Sequence, residues 1–176
     1  MPEASITIRP WSRPDGRLLE RLLRDPAMTR YLGGPESTVA IGQRHERYCK
    51  FTDTGPGCMF VVVADGEDAG SVGYWEQRWN GEDIWEMGWS ILPEHQGRGL
   101  ATAAAALVIE RTRKDGRFRY VHAFPSIENR ASNAICRKLG FESQGTVDFE
   151  YPVGNPMKSI DWRFDLLDLQ QRPIRE

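Results

Sequence analysis

A segment near the middle of the chain combines an acidic residue in an apolar strand with a glycine-bearing turn. Residues 84–92 alternate like a β-strand, and Pro93 ends the run because proline lacks the N–H that a strand ladder needs. The turn 96–99 (Gln-Gly-Arg-Gly) follows, and apolar residues then recur at helical spacing from about Arg98. A helix start of this kind exposes unpaired N–H groups and a partial positive charge. The segment therefore predicts a binding site for a phosphate or another anion.

Glu86 is the residue of this segment best suited to move a proton. Strand alternation places it on the face of Gly88 and Ser90, while tryptophan, methionine and isoleucine side chains line the opposite face. A carboxylate in so apolar a strand is destabilising unless it is paired or used. Burial raises the pKa of a carboxyl group and suits it to accept a proton near neutral pH. Glu86 is thus a candidate general base, and the alternative is a structural glutamate paired with an arginine.

The composition indicates the class of protein and excludes several functions. The chain has 176 residues, of which 40% are hydrophobic and 27% charged, so we expect one globular domain over residues 1–176. Its net charge of −2 provides no basic field, which disfavours a nucleic-acid partner. The three cysteines and three histidines show no disulfide or metal-ligand spacing, so we expect reduced thiols and no metal. A signal peptide and an apolar run of membrane length are not evident, which favours a cytoplasmic protein without a membrane partner.

The apolar pattern predicts a mixed α/β fold. Turn residues separate short strands in the first half, which indicates an antiparallel meander, and the order strand–helix–strand over residues 84–124 favours one parallel crossover. The polar tail from residue 168 is expected to fray. The predicted strands are 5–11, 59–64, 69–76, 84–92, 118–124, 141–151 and 159–167, the predicted helices are 15–25, 36–51, 98–114 and 128–139, and 77–82 is a predicted polar turn.

A second motif follows the central helix and occupies residues 129–141 (Asn-Arg-Ala-Ser-Asn-Ala-Ile-Cys-Arg-Lys-Leu-Gly-Phe). It resembles the GNAT acetyltransferase signature Asn-x-x-Ser/Ala, followed by a helix that ends in Lys-Leu-Gly-Phe. The turn at 96–101 is similar to the acyl-CoA signature of the same family, Gln/Arg-x-x-Gly-x-Gly/Ala. It is not a Walker loop, because no Gly-Lys-Ser/Thr follows, and it is a poor dinucleotide fingerprint because Thr102 replaces the third glycine.

The resemblance covers nearly the whole chain and is strongest to the branch of ribosomal-protein N-terminal serine/alanine acetyltransferases. It implies a GNAT-type fold, with a largely antiparallel twisted sheet of about seven strands, one parallel β-α-β crossover and four flanking helices. It also implies acetyl-CoA as co-substrate and an N-acetyltransferase that acts on a primary amine, either a small molecule or a protein N-terminus. The alternative is a non-catalytic CoA-binding or sensor module, and both a monomer and a homodimer are compatible with the sequence.

The resemblance assigns the cofactor contacts to two places. The backbone of the turn would hold the pyrophosphate of CoA, with Arg98 as a possible side-chain partner, and the end of the preceding strand would pair with the pantetheine arm. Asn129 is expected to be a helix N-cap that also binds a pantetheine amide. The implied cofactor-binding residues are Ser90, Ile91, Leu92, Gln96, Gly97, Arg98, Gly99, Leu100, Ala101 and Asn129.

The resemblance also assigns the proton transfers. Glu86 falls where family members carry a glutamate that deprotonates the amine, often through water. Many members place a tyrosine at the position of Cys136 to protonate the departing thiolate, but a thiol is a weak donor. Cys136 is therefore predicted to pack in the core, and Ser132, one helical turn before it, is the implied donor. Tyr151 is a remote alternative.

Aromatic and acidic residues flank the candidate base. The tryptophans at 75, 79, 85 and 89 are core residues by default, although some could form a wall of an acceptor cleft and contact an ammonium group. Glu76, Glu82 and Asp83 are weaker candidates for the base and are typical of turns or rims. As a group, these three acids would favour a cationic substrate.

Overall fold

A seven-stranded sheet organises the described part of the protein. The structure, a computed structural model, describes residues 5–168. The strands are β1 (Ile6–Pro10), β2 (Gly57–Ala64), β3 (Glu67–Trp79), β4 (Glu82–Ile91), β5 (Tyr120–Ala123), β6 (Glu142–Glu150) and β7 (Pro156–Asp165). The α-helices are α1 (Gly16–Arg24), α2 (Thr38–Lys50), α3 (Leu100–Asp115) and α4 (Arg130–Lys138).

The strand order is β1-β2-β3-β4-β5-β7-β6. Within residues 5–168, β4 and β5 form the one parallel pair, and α3 connects them as the predicted crossover. All other neighbouring strands are antiparallel. The predicted mixed α/β fold, with about seven strands, one parallel crossover and four helices, is therefore confirmed.

One predicted boundary was wrong by several residues. The segment 77–82 was expected to be a polar turn, but β3 continues to Trp79 and pairs with β4 up to Glu82. The turn consists of Asn80 and Gly81, with φ angles of 48° and 84°. The polar side chains misled the prediction because they alternate with half-buried ones along the edge of the ladder. Of the tail that was predicted to fray, residues 169–176 lie outside the described part of the chain.

Two apolar cores lie on opposite faces of the sheet. Along β2, Phe60 and Val62 belong to the core that contains α3 and α4, whereas Met59 and Val61 belong to the core that contains α1 and α2. This alternation is the period of two that a strand covered on both faces requires. The sheet is therefore sandwiched between helices, and residues of β4 can reach either layer.

The parallel pair β4–β5 is short, and a gap follows it. Pairing is restricted to Trp85 with Val121 and Glu86 with His122, although β4 continues to Ile91. The β5 side of the rest of β4 thus has no strand neighbour among the described residues. The N-terminus of α3 and one side of α4 border this gap. Within residues 5–168, no helix combines the length and apolar character needed to cross a membrane.

Candidate active site

The backbone of β4 faces the gap at alternate residues. The Leu92 N–H donates to the Ala69 carbonyl at 2.9 Å, so it is already used on the β3 side. Because backbone groups along a strand alternate in direction, those of Trp89 and Ile91 point into the gap. Of the predicted pantetheine contacts, Ile91 turns its backbone to the gap, as does Trp89. The backbone of Ser90 and the Leu92 N–H instead face β3. The sequence does not reveal which β4 residues direct their backbone into the gap, because that depends on which of them hydrogen-bond to β3.

The turn before α3 exposes backbone N–H groups to the same gap. Gly97 and Gly99 both have φ near 75°, a left-handed conformation that side chains rarely adopt, while no atom would obstruct an added Cβ. Gly99 is also the N-cap of α3 and supplies no capping side chain. Leu100 and Ala101 line the cleft beside this helix start. The structure thus shows a helix N-terminus with uncapped N–H donors, which is the feature from which the anion site was predicted.

Gln96 and Arg98 have structural partners. The Gln96 amide donates to the Ile91 carbonyl at 2.8 Å and so fixes the turn to the end of β4. The Arg98 guanidinium bonds to Asp65 in the β2–β3 turn and lies 3.5 Å from the His95 ring. Its side chain does not line the cleft, so the structure does not support the predicted side-chain contact to pyrophosphate.

Lys138 is a basic residue of the cleft that the sequence analysis missed. It lies in the last turn of α4 and lines the cleft together with Ala131 and Ile135. These three positions follow the spacing i, i+4 and i+7, which defines one helix face. That spacing, counted from the second motif, was the signal that could have identified Lys138.

A second opening adjoins this cleft beneath β4. The first, the cofactor cleft, has a volume of about 520 Å³, and the second, called the acceptor cavity below, has about 200 Å³. Glu86 lines the acceptor cavity. The two spaces share the residues Met28, Tyr31, Trp89, Ser90, Asn129 and Ser132. The structure therefore brings three predicted site residues, Ser90, Asn129 and Ser132, to the junction of the two spaces, while Glu86 lies in the wall of the adjoining acceptor cavity.

Glu86 is 7% exposed, and this burial raises the pKa of its carboxyl group. Hydrogen bonds oppose the shift: the Gln77 amide donates to Oε2 at 3.1 Å, and the Trp75 side chain also bonds to the carboxylate. Within residues 5–168, no lysine or arginine lies within ion-pair distance of Glu86. The structural alternative of a glutamate paired with an arginine is therefore wrong, and burial is the largest influence on the pKa of this carboxyl group.

A buried histidine–aspartate pair lies next to Glu86. His122 is the neighbour of Glu86 across β4–β5, and its Nδ1 is 2.6 Å from Asp161 Oδ1. The other Asp161 oxygen accepts from Trp79 Nε1 at 2.9 Å. A charge on His122 lowers the pKa of Glu86, but burial has the larger effect. The sequence analysis missed this pair because it joins β5 to β7, which are distant in sequence.

The start of α4 has the predicted cap. Asn129 Oδ1 accepts from the Ser132 N–H at 3.1 Å, which confirms Asn129 as the N-cap. The buried Asn133 amide donates to the Ser126 and Asn129 carbonyls at 2.9 and 2.8 Å. Asn133 Oδ1 also accepts from Trp162 Nε1 at 2.8 Å, which ties α4 to β7. Asn133 thus fixes the start of α4 at the junction, although it was not singled out within the second motif.

The donor candidates differ in environment. Cys136 is fully buried in the core, where burial raises the pKa of its thiol to about 12, so the predicted packing role is confirmed. Ser132 is half-buried and faces both spaces. Tyr151 lines the acceptor cavity, where burial raises its pKa to about 12, and the Arg44 guanidinium lies 5.5 Å from its ring centroid. Ser132 is the one of these that touches the cofactor cleft.

The predicted acidic group is not at the site. Glu76 pairs with Arg117 at 2.9 Å, and Asp83 pairs with Arg78 at 2.8 Å. Glu82 is exposed, and none of these three described acids lines either space. Glu82 and Asp83 precede the parallel pair on β4, and Glu76 lies opposite Trp85, so none of the three contacts the junction.

The tryptophans have separate roles. Trp75 and Trp89 line the acceptor cavity, as the sequence analysis allowed. Trp85 is fully buried in the core, with its ring centroid 4.8 Å from that of Tyr74. Trp79 packs on Phe124 at 4.7 Å and orients Asp161. Among the described residues, no group of three or more His, Cys, Asp or Glu side chains could hold a metal ion.

Comparison with known proteins identifies the family. The acetyltransferase (GNAT) domain family matches residues 5–142. The chain is also 32% identical over 160 residues to the spermidine N(1)-acetyltransferase of Escherichia coli K12, which covers 90% of this chain and 85% of the relative. The protein therefore belongs to the GNAT acetyltransferases, as the two sequence motifs predicted.

Solved structures confirm the fold. RimJ of Mycobacterium smegmatis in complex with CoA-disulfide has a TM-score of 0.79 at 18% identity, covering 98% of this chain and 87% of that chain. The spermidine N-acetyltransferase of Vibrio cholerae in complex with CoA and spermine has a TM-score of 0.74 at 19% identity, covering 93% and 98%. At these identities the likeness establishes the arrangement of elements.

Proposed function

We propose that the protein transfers an acetyl group from acetyl-CoA to a primary amine by direct attack, with Glu86 as general base and Ser132 as proton donor. The observation that carries this proposal is the junction of two spaces, one beside a helix N-terminus and one beside a buried carboxylate. The reacting groups of two substrates could meet there, at Ser90, Asn129 and Ser132.

The cofactor cleft fits CoA in its charge and hydrogen-bonding pattern. The uncapped N–H groups at the start of α3 favour the pyrophosphate, and Lys138 adds a positive charge along the same wall. The outward backbone of Trp89 and the Ile91 N–H can pair with the amides of a pantetheine arm, as a missing strand would, while the Ile91 carbonyl holds the Gln96 amide. The solved RimJ and spermidine acetyltransferase structures contain CoA, which supports the same ligand here.

The acetyl transfer removes two protons from the ammonium nitrogen and adds one to the sulfur of CoA. An alkyl amine is mostly protonated at pH 7, with a pKa of about 10, so Glu86 first accepts a proton from the ammonium group. The amine nitrogen then attacks the thioester carbon, and backbone N–H groups of β4 stabilise the negative charge on the carbonyl oxygen. The nitrogen of the tetrahedral intermediate releases its second proton to solvent as the C–S bond breaks. Ser132 donates a proton to the departing thiolate, and solvent restores the proton of Ser132.

A thiol-release assay with acetyl-CoA tests the proposal. The amine panel includes spermidine, a peptide with an N-terminal serine, an aminoglycoside and simple alkyl and aralkyl amines. We expect CoA thiol to appear with at least one class of amine, and mass spectrometry to find a matching acetylated product. If the protein bound acetyl-CoA yet released no thiol with any class, it would be a binding or sensor module instead.

The Ser132→Ala substitution is expected to lower kcat by about tenfold, because the thiolate of CoA is already a good leaving group that needs limited help. The KM for acetyl-CoA should change little, since the backbone contacts remain. Ser126→Ala is the matched control, because Ser126 lines the acceptor cavity but not the cofactor cleft. An unchanged kcat for Ser132→Ala would assign the donor role to another group, with Tyr151 the next to test.

The Gly88→Ala substitution is expected to impair the acceptor more than the cofactor. A Cβ at Gly88 would lie 3.0 Å from Trp75 Cη2, so the indole must move within the acceptor cavity. We expect the KM for the amine to rise about fivefold, a cost of about 1 kcal/mol, while the KM for acetyl-CoA stays within about twofold. Equal increases in the KM for the amine and the KM for acetyl-CoA would contradict the assignment of the cofactor cleft and the acceptor cavity.

A further inference from the structure

The acceptor cavity is an apolar space with one ionisable acid. Its walls come from α1, the α1–α2 loop, α2, and the facing ends of β6 and β7, besides β3 and β4. Leucines of α1 form one side, and Trp75, Phe149 and Met157 form another. Among its described lining residues, Glu86 is the one carboxylate. The remaining polar groups, such as Ser71 and Ser126, are neutral.

This charge pattern limits how many positive charges an acceptor can carry into the cavity. One ammonium group can lie beside Glu86, but each further cation would enter an apolar space with no carboxylate to pair with it. Burying an unpaired charge is strongly unfavourable. The Arg44–Glu36 pair behind Tyr151 adds no net negative charge, because the two half-buried side chains form an ion pair. Polyamines and aminoglycosides, which carry several ammonium groups, therefore fit poorly.

The volume of the cavity also limits the acceptor. At about 200 Å³ it lies below the range of about 300–1,000 Å³ that is typical of sites for drug-sized ligands. A compact body of one ring or a short branched chain fits this volume. The aromatic ring of Trp75, whose side chain bonds to the Glu86 carboxylate, favours one ammonium group and a flat apolar body.

We propose that the acceptor is a primary amine with a single positive charge and a compact apolar or aromatic body, and that spermidine is a poor substrate. This inference rests on the proposed function, since it names the substrate class of the same site. It departs from the relative at 32% identity, the E. coli spermidine N(1)-acetyltransferase. In the inferred pose the ammonium group lies beside Glu86 and the apolar body extends toward the leucines of α1.

The kinetic test compares 2-phenylethylamine with spermidine under acetyl-CoA saturation. We expect kcat/KM for phenylethylamine to exceed that for spermidine by at least about tenfold. Isobutylamine should fall between them, because it has one charge but a smaller apolar body. A higher kcat/KM for spermidine, for an aminoglycoside or for a serine-initiated peptide than for every monoamine would overturn the inference.

A charge-insertion variant tests the physical reason. Met157 lines the cavity on β7, opposite Phe149 across the β6–β7 ladder. Met157→Glu adds a second carboxylate, and Met157→Gln adds a neutral side chain of the same length as the matched control. We expect the spermidine-to-phenylethylamine ratio of kcat/KM to rise about tenfold for Met157→Glu relative to Met157→Gln. Equal ratios in the two variants would show that the number of carboxylates does not select the acceptor.

A binding measurement separates this inference from the proposed function. Isothermal titration of CoA-saturated protein measures the Kd of each amine without requiring turnover. We expect tighter binding of phenylethylamine than of spermidine, by about tenfold. If no amine supports thiol release, the proposed function fails, and the order of the two Kd values still decides the substrate class. If thiol is released but spermidine binds more tightly, the inference alone is wrong.

Discussion

The Glu86→Gln substitution is expected to lower kcat/KM by about 10²–10⁴-fold, the usual contribution of a general base. Glutamine keeps the size and hydrogen-bonding shape of the side chain but cannot accept the proton of the ammonium group. The Gln77 amide, which donates to Glu86 at 3.1 Å, can still donate to the new carbonyl oxygen. The effect should appear in kcat, while the KM for acetyl-CoA stays close to that of the wild type.

The same substitution is expected to stabilise the fold at neutral pH. Burial raises the folded-state pKa of Glu86 above its ordinary value of 4.5, so the folded state holds this proton more tightly than the unfolded state does. The contribution of Glu86 to stability is therefore present below pH 4.5 and is lost as the pH rises through the folded-state pKa. Glutamine is neutral and removes this loss. The free energy of unfolding of Glu86→Gln should therefore exceed that of the wild type by more at pH 8 than at pH 4.

Both effects are measured on one pair of variants. Steady-state thiol release gives kcat and KM between pH 5 and pH 9, and urea unfolding at pH 4 and pH 8 gives the stabilities. Glu82→Gln, an exposed carboxylate on the same strand, is the control and should change neither activity nor the pH dependence. If Glu86→Gln retained full turnover at every pH, the assignment of the base would be wrong.

Much of the architecture of the site could be predicted because it is local in sequence. The strand, the turn with Gly97 and Gly99, and the helix start occupy one continuous segment, so spacing alone indicated an anion site. The cap by Asn129 is also local, because donor and acceptor are three residues apart. The burial of Cys136 could be predicted from its chemistry, because a thiol is a weak proton donor and the core is the alternative place for it.

The missing parts of the prediction depend on contacts between distant segments. The His122–Asp161 pair exists because β7 inserts between β5 and β6, an order that no local pattern specifies. Arg98 turns away from the cleft because Asp65, 33 residues earlier, binds its guanidinium. The acids near Glu86 in the sequence suggested a negatively charged site for the same reason. Glu76, for example, is paired with Arg117, 41 residues later. Sequence spacing identified which groups are present, and the sheet order determines which of them meet.

Gly70→Ala is expected to lower the free energy of unfolding by about 3 kcal/mol, at the upper end of the usual cost of overpacking. A Cβ at Gly70 would lie 2.1 Å from the Ser90 carbonyl oxygen and 2.9 Å from the Ile91 Cα. These are backbone atoms, so no side-chain rotation can relieve the overlap and β4 must shift away from β3. The strain follows from this close approach of two strands, whatever the φ angle of Gly70.

The displacement of β4 would affect function as well as stability, because Gly70 contacts β4 where that strand borders the gap. Ser90 lines both spaces, and Ile91 presents its backbone to the cofactor cleft. We therefore expect the KM for acetyl-CoA to rise at least about tenfold in the fraction that stays folded at 15 °C, consistent with a misplaced contact strand. Urea unfolding measures the stability change, and thiol release at saturating amine measures the KM.

Gly42→Ala separates this effect from a general intolerance of substitution. Gly42 is exposed within α2, and a Cβ there would meet no atom within 4 Å. Alanine should stabilise the helix by about 0.5–1 kcal/mol, because glycine loses more conformational freedom on folding. The two variants add the same methyl group with opposite expected signs. A Gly70→Ala protein that unfolded at the wild-type urea midpoint would show that β3 and β4 can separate without cost, and that the close fit at Ser90 does not position the site.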